Sequence, residues 1–558
     1  MITMGNLLKS PIIVFLLASS VFLIFCLFFI LDVPMSESVW FWIEAEYLEV
    51  AFRNTWHPPI YIVLLHFFRY FFSNSYIGGY FLGILSVIAS ALLITKIIIY
   101  NERKIEEKTS LLMVILLAYY SLPVVLHGVF IFDIDNTILT PILLLTYFVY
   151  LKFNHQANWL NGILLSLSVL LGLWTKMTTP ILIICSITFF HLLQGEFKLL
   201  IFKIIPIFGT SLTLFYLSYG WLFSKYILER NDSVRYNQGK ALAYLSGLHT
   251  FNQPLKDVIF SIASSFGGIV LWSSPIIAIL IVFLFINIIK DQNLLTFRWI
   301  GKSLDQRFIL PAIIILAIIV SYSILIKVQA TAGFPKYHYP LYSFVFIMLG
   351  TYLVQSKIKF ERFDIAFFVI TLIAISLSTK DILYPFYELG RERQYNQLMI
   401  LFVRIGFFMF LPVIVYYLIR KKTRIKTLPD LMMVFLMFAM IVNFAGFFYR
   451  SQADYSTNYH YGIKGTDSAL AYAKTIPLDQ SVYFPFTGFL LDRPGPTKTA
   501  AWGRLLGEDQ FKPNTNYIII TDTMLNRNKF FFGLDYVKEK YDKIKTIDSY
   551  GIWKRKNQ

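Results

Sequence analysis

The sequence predicts a mostly α-helical, polytopic membrane protein that carries a small α/β domain at its C-terminus. Hydrophobic residues make up 57% of the 558 residues, charged residues only 15%, and the mean hydropathy is +0.61. Apolar stretches of roughly 20 residues, the length that crosses a bilayer core, recur along the chain as far as residue 449. Beyond that residue the hydrophobic runs shorten to the length of β-strands.

The apolar stretches predict about 13 transmembrane helices, one for each run long enough to cross the hydrocarbon core. The first stretch has no clear small-residue cleavage site, so we expect a retained helix rather than a removed signal peptide. The predicted spans are centred on residues 14–31, 76–98, 110–126, 138–150, 159–173, 180–193, 204–223, 267–289, 309–326, 340–354, 365–377, 398–419 and 432–448.

The net charge of +17 indicates topology rather than nucleic-acid binding. Lys and Arg are concentrated in alternate loops, including Arg103-Lys104 and the basic cluster at 420–424. Cytoplasmic loops of membrane proteins carry such an excess. The pattern therefore predicts a multi-pass protein of the cell (inner or plasma) membrane with a cytoplasmic N-terminus. The odd number of spans then places the C-terminus outside the cytoplasm.

Two extramembrane parts have a predicted structure. Residues 60–72 follow His57-Pro58-Pro59 and contain His66 and Arg69, which predicts an amphipathic helix at the membrane interface. The chain divides into a membrane domain, 1–449, and an extracytoplasmic domain, 450–558. Strand-length runs at 481–484 and 517–520 and a helical pattern at 467–475 predict the α/β structure of the second domain.

Carboxylates concentrate in two loops on the predicted outer side. One loop contains Glu37, Glu44 and Glu46, and the other contains Asp133 and Asp135. Carboxylates beside hydrocarbon are costly and are usually functional. For Asp135 a turn or helix cap is an equal alternative, because the next span begins beside it. The alternative for the three Glu residues is a solvated loop face.

Taken in order, these features resemble the GT-C superfamily of lipid-carrier-dependent glycosyltransferases, in the bacterial branch near the protein O-mannosyltransferases and the aminoarabinose transferases. The resemblance covers the whole membrane part. The pieces that carry it are the two acidic loops, the helix after His57, and the segments Leu173-Trp174-Thr175-Lys176 and Pro335-Lys336-Tyr337-His338-Tyr339-Pro340.

The resemblance implies roles for the acidic residues. The family's first loop usually has an Asp-Glu pair, and here the sequence is Ser36-Glu37, so Glu37 is the matching general base. Glu44 and Glu46 are the alternatives. Asp133 would hold the acceptor or the geometry of the active site, and Asp135 would assist it.

The resemblance also implies that the remaining site residues bind substrate. Lys336, Tyr337 and His338 would face the carrier phosphate, and Lys176 would have a similar role. Snorkelling and aromatic anchoring at the interface would explain the same residue types. His57 either contributes to the site or only shapes the turn before Pro58.

The resemblance implies transfer of a sugar from a polyprenyl-phosphate donor to a glycan, lipid or protein acceptor on the outer face, with inversion. Membrane lipids are the other expected partner, and nucleic acid is not. No cofactor and no metal site are predicted, since the acids lack His or Cys partners at ligand spacing, although a divalent metal stays an open alternative. The competing functions are a lipid-linked glycan ligase or polymerase, a transporter and an inactive scaffold.

Overall fold

The computed structural model describes residues 10–28, 58–72, 77–100, 108–130, 133–226, 306–325, 336–355, 465–484, 515–521 and 534–556, with a few single residues elsewhere. In the membrane part these residues form a helical bundle. Its elements are α1 Pro11–Phe28, α2 Ile60–Phe71, α3 Ile77–Ile98, α4 Thr109–Ser121, α5 Pro123–Phe130, a π-helical turn Asp135–Leu139, α6 Thr140–His155, α7 Trp159–Thr175, α8 Thr178–Gln194, α9 Phe197–Leu199, a π-helical turn Leu200–Ile204, α10 Ile205–Tyr226, α11 Gln306–Leu325, a 3-10 turn Lys336–His338 and α12 Tyr339–Gln355.

The helices agree in order with the predicted spans, with one difference. The stretch predicted as a single span at 110–126 is two helices, α4 and α5, which meet at Leu122. Leu122 is extended, with ψ 131°. The cause is Pro123, because a proline disfavours helical backbone in the residue before it. The predicted spans at 267–289, 365–377, 398–419 and 432–448 lie almost entirely outside the described residues.

Three of the described helical segments are both long and apolar enough to cross a membrane, namely Ile77–Ile98, Asp135–His155 and Phe197–Tyr219. Other described helices are apolar but shorter. On α7, Ile163, Leu167 and Leu171 lie on an exposed apolar face. Exposed apolar faces of this kind are typical of helices that lie against hydrocarbon. The protein is therefore a multi-pass membrane protein.

Helix α2 has two distinct faces. Tyr61, Ile62 and Leu65 are buried against the bundle. Phe67 and Tyr70, on the opposite face, are 59% and 81% exposed. An apolar, aromatic outer face on a short helix is typical of a segment lying in the membrane interface, so the interfacial location stays a prediction.

The centre of the bundle is formed by α3, which packs against α1, α2, α5, α6 and α12. Small residues permit the closest approaches. A Cβ atom on Gly83 would lie 2.7 Å from the backbone oxygen of Val129 in α5. Glycine at this position lets the two backbones touch, which is how membrane helices gain packing without a hydrophobic driving force.

The two ends of the bundle differ in chemistry. At one end Arg307 donates hydrogen bonds to the Tyr100 carbonyl (3.1 Å) and to Glu102 (3.0 Å). Lys108 donates to the Val354 carbonyl at the same end. We call this the Arg307 end. The π-helical turn 135–139, the α7–α8 junction and the 3-10 turn 336–338 lie at the opposite end, which we call the Lys176 end.

The C-terminal residues form a mixed four-stranded sheet in the order β1-β2-β4-β3. The elements are α13 Thr466–Thr475, β1 Val482–Tyr483, β2 Tyr517–Thr521, α14 Leu534–Lys540, β3 Tyr541–Ile547 and β4 Tyr550–Arg555. β1 and β2 are parallel, and the other pairs are antiparallel. Apolar clusters cover both faces of the sheet, one including residues of α13 and the other Val537 of α14. The predicted α/β character is present.

Replacing Gly83 with Ala should destabilise the bundle by about 1–3 kcal/mol, because the new methyl group overlaps the α5 backbone. The matched control is Gly209→Ala in α10, where a Cβ would meet nothing within 4 Å. Alanine has the higher helix propensity, so the control should not destabilise. Thermal unfolding of the purified protein in detergent measures both. Equal effects of the two substitutions would contradict the close α3–α5 contact.

Candidate functional site

A buried ion pair lies at the Lys176 end. The Lys176 ammonium contacts both carboxylate oxygens of Asp135, at 2.7 and 2.6 Å. Lys176 is 3% exposed and Asp135 is 1% exposed. Lys176 follows α7 directly and Asp135 begins the π-helical turn before α6, so the pair joins two helix ends that are 41 residues apart in sequence. Burial lowers the pKa of Lys176, but the Asp135 carboxylate together with Tyr322 and Tyr337 raises that pKa overall.

Two tyrosine rings cover the Lys176 ammonium. Its nitrogen lies 4.5 Å from the centroid of Tyr337 and 5.5 Å from that of Tyr322. The two rings stack on each other with centroids 5.3 Å apart. The Tyr322 hydroxyl hydrogen-bonds the hydroxyls of Thr178 (3.0 Å) and Thr179 (2.6 Å). These contacts tie α8, α11 and the 3-10 turn to the charge on Lys176.

His338 lies beside this cluster and is fully buried. Its ring stands edge-on to Tyr322, with centroids 6.0 Å apart. Neither ring nitrogen has a hydrogen-bond partner within the described part of the chain. Burial and the nearby Lys176 ammonium lower the pKa of His338 to about 4. The imidazole is therefore neutral at pH 7.

The acidic loop is held by its own polar side chains. The Asp133 carbonyl accepts hydrogen bonds from the backbone N–H (3.0 Å) and from the hydroxyl of Thr137. Thr140 donates to the Asp135 carbonyl at 2.6 Å, and Asn136 donates to the Gly128 carbonyl at 2.5 Å. Asp133 is itself buried, with 2% exposure. Asp135 begins the π-helical turn, a geometry often found at functional sites, and Asp133 lies two residues before it.

Three helix N-termini also lie at the Lys176 end. They belong to α6 with its preceding π-helical turn, α8 and α12, and each has a proline in its first turn: Pro141, Pro180 and Pro340. The first N–H groups of a helix have no partner within the helix and carry partial positive charge. This end can therefore attract an anion without a large local excess of basic side chains.

The Lys176 end contains five of the predicted site residues: Asp133, Asp135, Lys176, Tyr337 and His338. The backbone of Lys336 lies in the same 3-10 turn. Glu37, Glu44, Glu46 and His57 lie outside the described residues. Sequence reasoning missed Tyr322, Thr178 and Thr179. It also missed that Asp135 pairs with Lys176, so the charge predicted to face the carrier phosphate is matched by a protein carboxylate.

Comparison with solved structures gives the fold. A crystal structure of ArnT from Cupriavidus metallidurans bound to undecaprenyl phosphate aligns with a TM-score of 0.55, over 96% of this chain and 97% of that chain, at 12% identity. The apo structure of the same protein aligns equally well. This chain has the ArnT fold. The predicted polytopic helical membrane bundle is thereby confirmed.

No protein-family model matches the sequence, and no curated protein matches it either. The likeness to ArnT is therefore one of architecture over nearly the whole of both chains. Within the described residues no group of three or more His, Cys, Asp and Glu side chains is arranged to hold a metal ion. The chemistry at the Lys176 end has to be argued from its own residues.

Asp135→Asn should destabilise the protein by about 3–5 kcal/mol, because it leaves the Lys176 ammonium buried without a carboxylate. Replacing both partners, as in Asp135→Leu with Lys176→Met, should recover much of that loss. The control is Asp542→Asn in β3, whose carboxylate is 69% exposed and lies 3.9 Å from Lys556. The readout is the thermal midpoint in detergent. A single substitution as mild as the control would contradict the buried pair.

Proposed function

We propose that the protein is a membrane glycosyltransferase that moves a sugar from a polyprenyl-phosphate donor to a glycan, lipid or protein acceptor. The observation that carries the proposal is the convergence of buried Asp133, the Asp135–Lys176 pair and buried His338 at one end of a bundle with the ArnT fold. That ArnT was crystallised with undecaprenyl phosphate supports a lipid-linked donor.

The described geometry suits a donor of this kind. A polyprenyl chain stays in the bilayer, so its phosphate lies at the membrane surface. The groups that bind this phosphate must therefore lie at the ends of the membrane helices. The N-termini of α8 and α12 offer partial positive charge there. We assign Lys336, in the turn before α12, as the cation that stabilises the departing phosphate, because Asp135 already neutralises Lys176.

The reaction breaks the bond between the anomeric carbon and the phosphate oxygen, and forms a bond from that carbon to the acceptor oxygen. The acceptor proton passes to a carboxylate, and polyprenyl phosphate leaves. We assign Glu37 as this general base, with Glu44 and Glu46 as alternatives, a role worth typically ~10²–10⁴-fold in rate. Asp133 would hold the acceptor hydroxyl. Attack opposite the leaving phosphate inverts the anomeric centre.

Asp135 and Lys176 serve this site indirectly. Their pair fixes the relative positions of the π-helical turn and the α7–α8 junction, and through Tyr337 it reaches the turn that contains Lys336. The proposal requires no resident cofactor, and transfer should persist in the presence of a chelator. It places the Lys176 end and the C-terminal domain on the extracytoplasmic side, with the Arg307 end in the cytoplasm.

A transporter is the weaker assignment for the described residues. Transporters place ionisable residues and broken helices near the middle of the bilayer. Here the buried ion pair lies at the ends of helices. A glycan ligase or polymerase acting on lipid-linked substrates would share the donor chemistry, so the assay below uses single-sugar donors to separate it from a glycosyltransferase.

The test is transfer of radiolabelled sugar from a panel of polyprenyl-phosphate sugars by the purified protein in lipid. Glu37→Gln should lower the rate at least 10²-fold, and Asp133→Asn should lower it less, because it retains hydrogen bonding. The control is Glu539→Gln in α14, whose carboxylate is 69% exposed. Full activity of Glu37→Gln would move the base to Glu44 or Glu46. No transfer by the unsubstituted protein with any donor would refute the proposal.

A further inference from the structure

His338 is held in place by its two neighbours in sequence. Tyr337 stacks on Tyr322, and Tyr339 lies so close to α5 that a Cβ on Gly128 would be 2.7 Å from its ring. The backbone changes from the 3-10 turn to α12 between His338 and Tyr339. The histidine therefore has little freedom to seek hydrogen-bond partners elsewhere.

The ring is polar and buried, and both of its nitrogens lack hydrogen bonds to any described residue. Buried polar side chains nearly always have partners, and an exception calls for an explanation such as a ligand. A neutral imidazole has one N–H donor and one acceptor nitrogen. A ligand that satisfies the whole ring must therefore both accept and donate a hydrogen bond.

Burial and, after it, the nearby Lys176 ammonium lower the pKa of His338. The Lys176 ammonium is the charged group that acts on His338, and it contributes to the lowered pKa of the imidazole. The Asp135 carboxylate is engaged with that ammonium, at 2.6 Å. The other titratable groups of the cluster are Tyr322 and Tyr337. The ring of Tyr322 contacts the rings of both His338 and Tyr337. A cationic histidine would be repelled by Lys176 in this low-dielectric site.

This chemistry selects one part of the donor proposed above. The phosphodiester that links a sugar to a polyprenol has no proton to donate, so it can satisfy only the N–H of the imidazole. A sugar hydroxyl both donates and accepts. We propose that His338 contacts the sugar of the lipid-linked donor as a neutral hydrogen-bonding residue, and so determines sugar specificity. This inference rests on the proposed function.

The test compares binding of bare polyprenyl phosphate with binding of polyprenyl-phosphate sugars to the full chain in lipid nanodiscs. Three substitutions separate the roles. His338→Gln keeps a donor and an acceptor, His338→Leu removes both, and His338→Lys supplies a cation. Thermal unfolding of each variant checks that it is folded.

The unsubstituted protein and His338→Gln should bind at least one sugar-bearing donor more tightly than bare carrier. His338→Leu should lose about tenfold of that preference while its affinity for bare carrier stays the same. His338→Lys should show the same reduced preference for sugar-bearing donor as His338→Leu. These results would establish the contact with the sugar.

Other outcomes overturn the inference. If His338→Leu and His338→Gln both lose affinity for bare carrier while His338→Lys keeps it, the residue is a phosphate ligand. An unchanged preference in His338→Leu, with lowered thermal stability, would make it structural. No sugar preference in the unsubstituted protein, with bare carrier still bound, refutes the inference alone. Binding of neither carrier nor donor refutes the proposed function as well.

Discussion

The ion pair between Asp135 and Lys176 is the interaction on which the Lys176 end depends. A buried ammonium is stable only with a carboxylate at close range, so these two side chains fix the distance between the start of α6 and the α7–α8 junction. The aromatic rings of Tyr322 and Tyr337 then extend this constraint to α11 and to the turn before α12. Four segments of the chain thus meet around one charge.

The same pair changes how charge is distributed in the candidate site. Lys176 cannot offer a free positive charge to a phosphate while it is bound to Asp135 at 2.6 Å. In the proposed function, attraction for the donor phosphate is therefore assigned to Lys336 and to the helix N-termini of α8 and α12. The nearby imidazole of His338 stays neutral, which leaves it suited to hydroxyl groups. The two proposals thus assign phosphate binding and sugar recognition to different groups of the Lys176 end.

The sequence predicted the class of fold well, because the length and apolarity of a spanning segment are read directly from composition. It also predicted that Asp133, Lys176 and His338 share a side, because alternation of spans fixes which loops meet at one end. It did not predict that Asp135 pairs with Lys176, since helix rotation and packing decide which side chains touch. Tyr322 was missed for the same reason: a tyrosine inside an apolar span has no distinguishing local pattern. The helix break at Leu122 could have been predicted from the sequence, because Pro123 disfavours helical backbone in the residue before it.

The most direct test of the account is a structure of the protein in nanodiscs with a bound polyprenyl-phosphate sugar. The account predicts the phosphate near Lys336 and the N-termini of α8 and α12, the sugar against His338, and the Asp135–Lys176 pair intact. A donor bound at the Arg307 end would contradict the account. So would a phosphate bound by Lys176 after separation from Asp135.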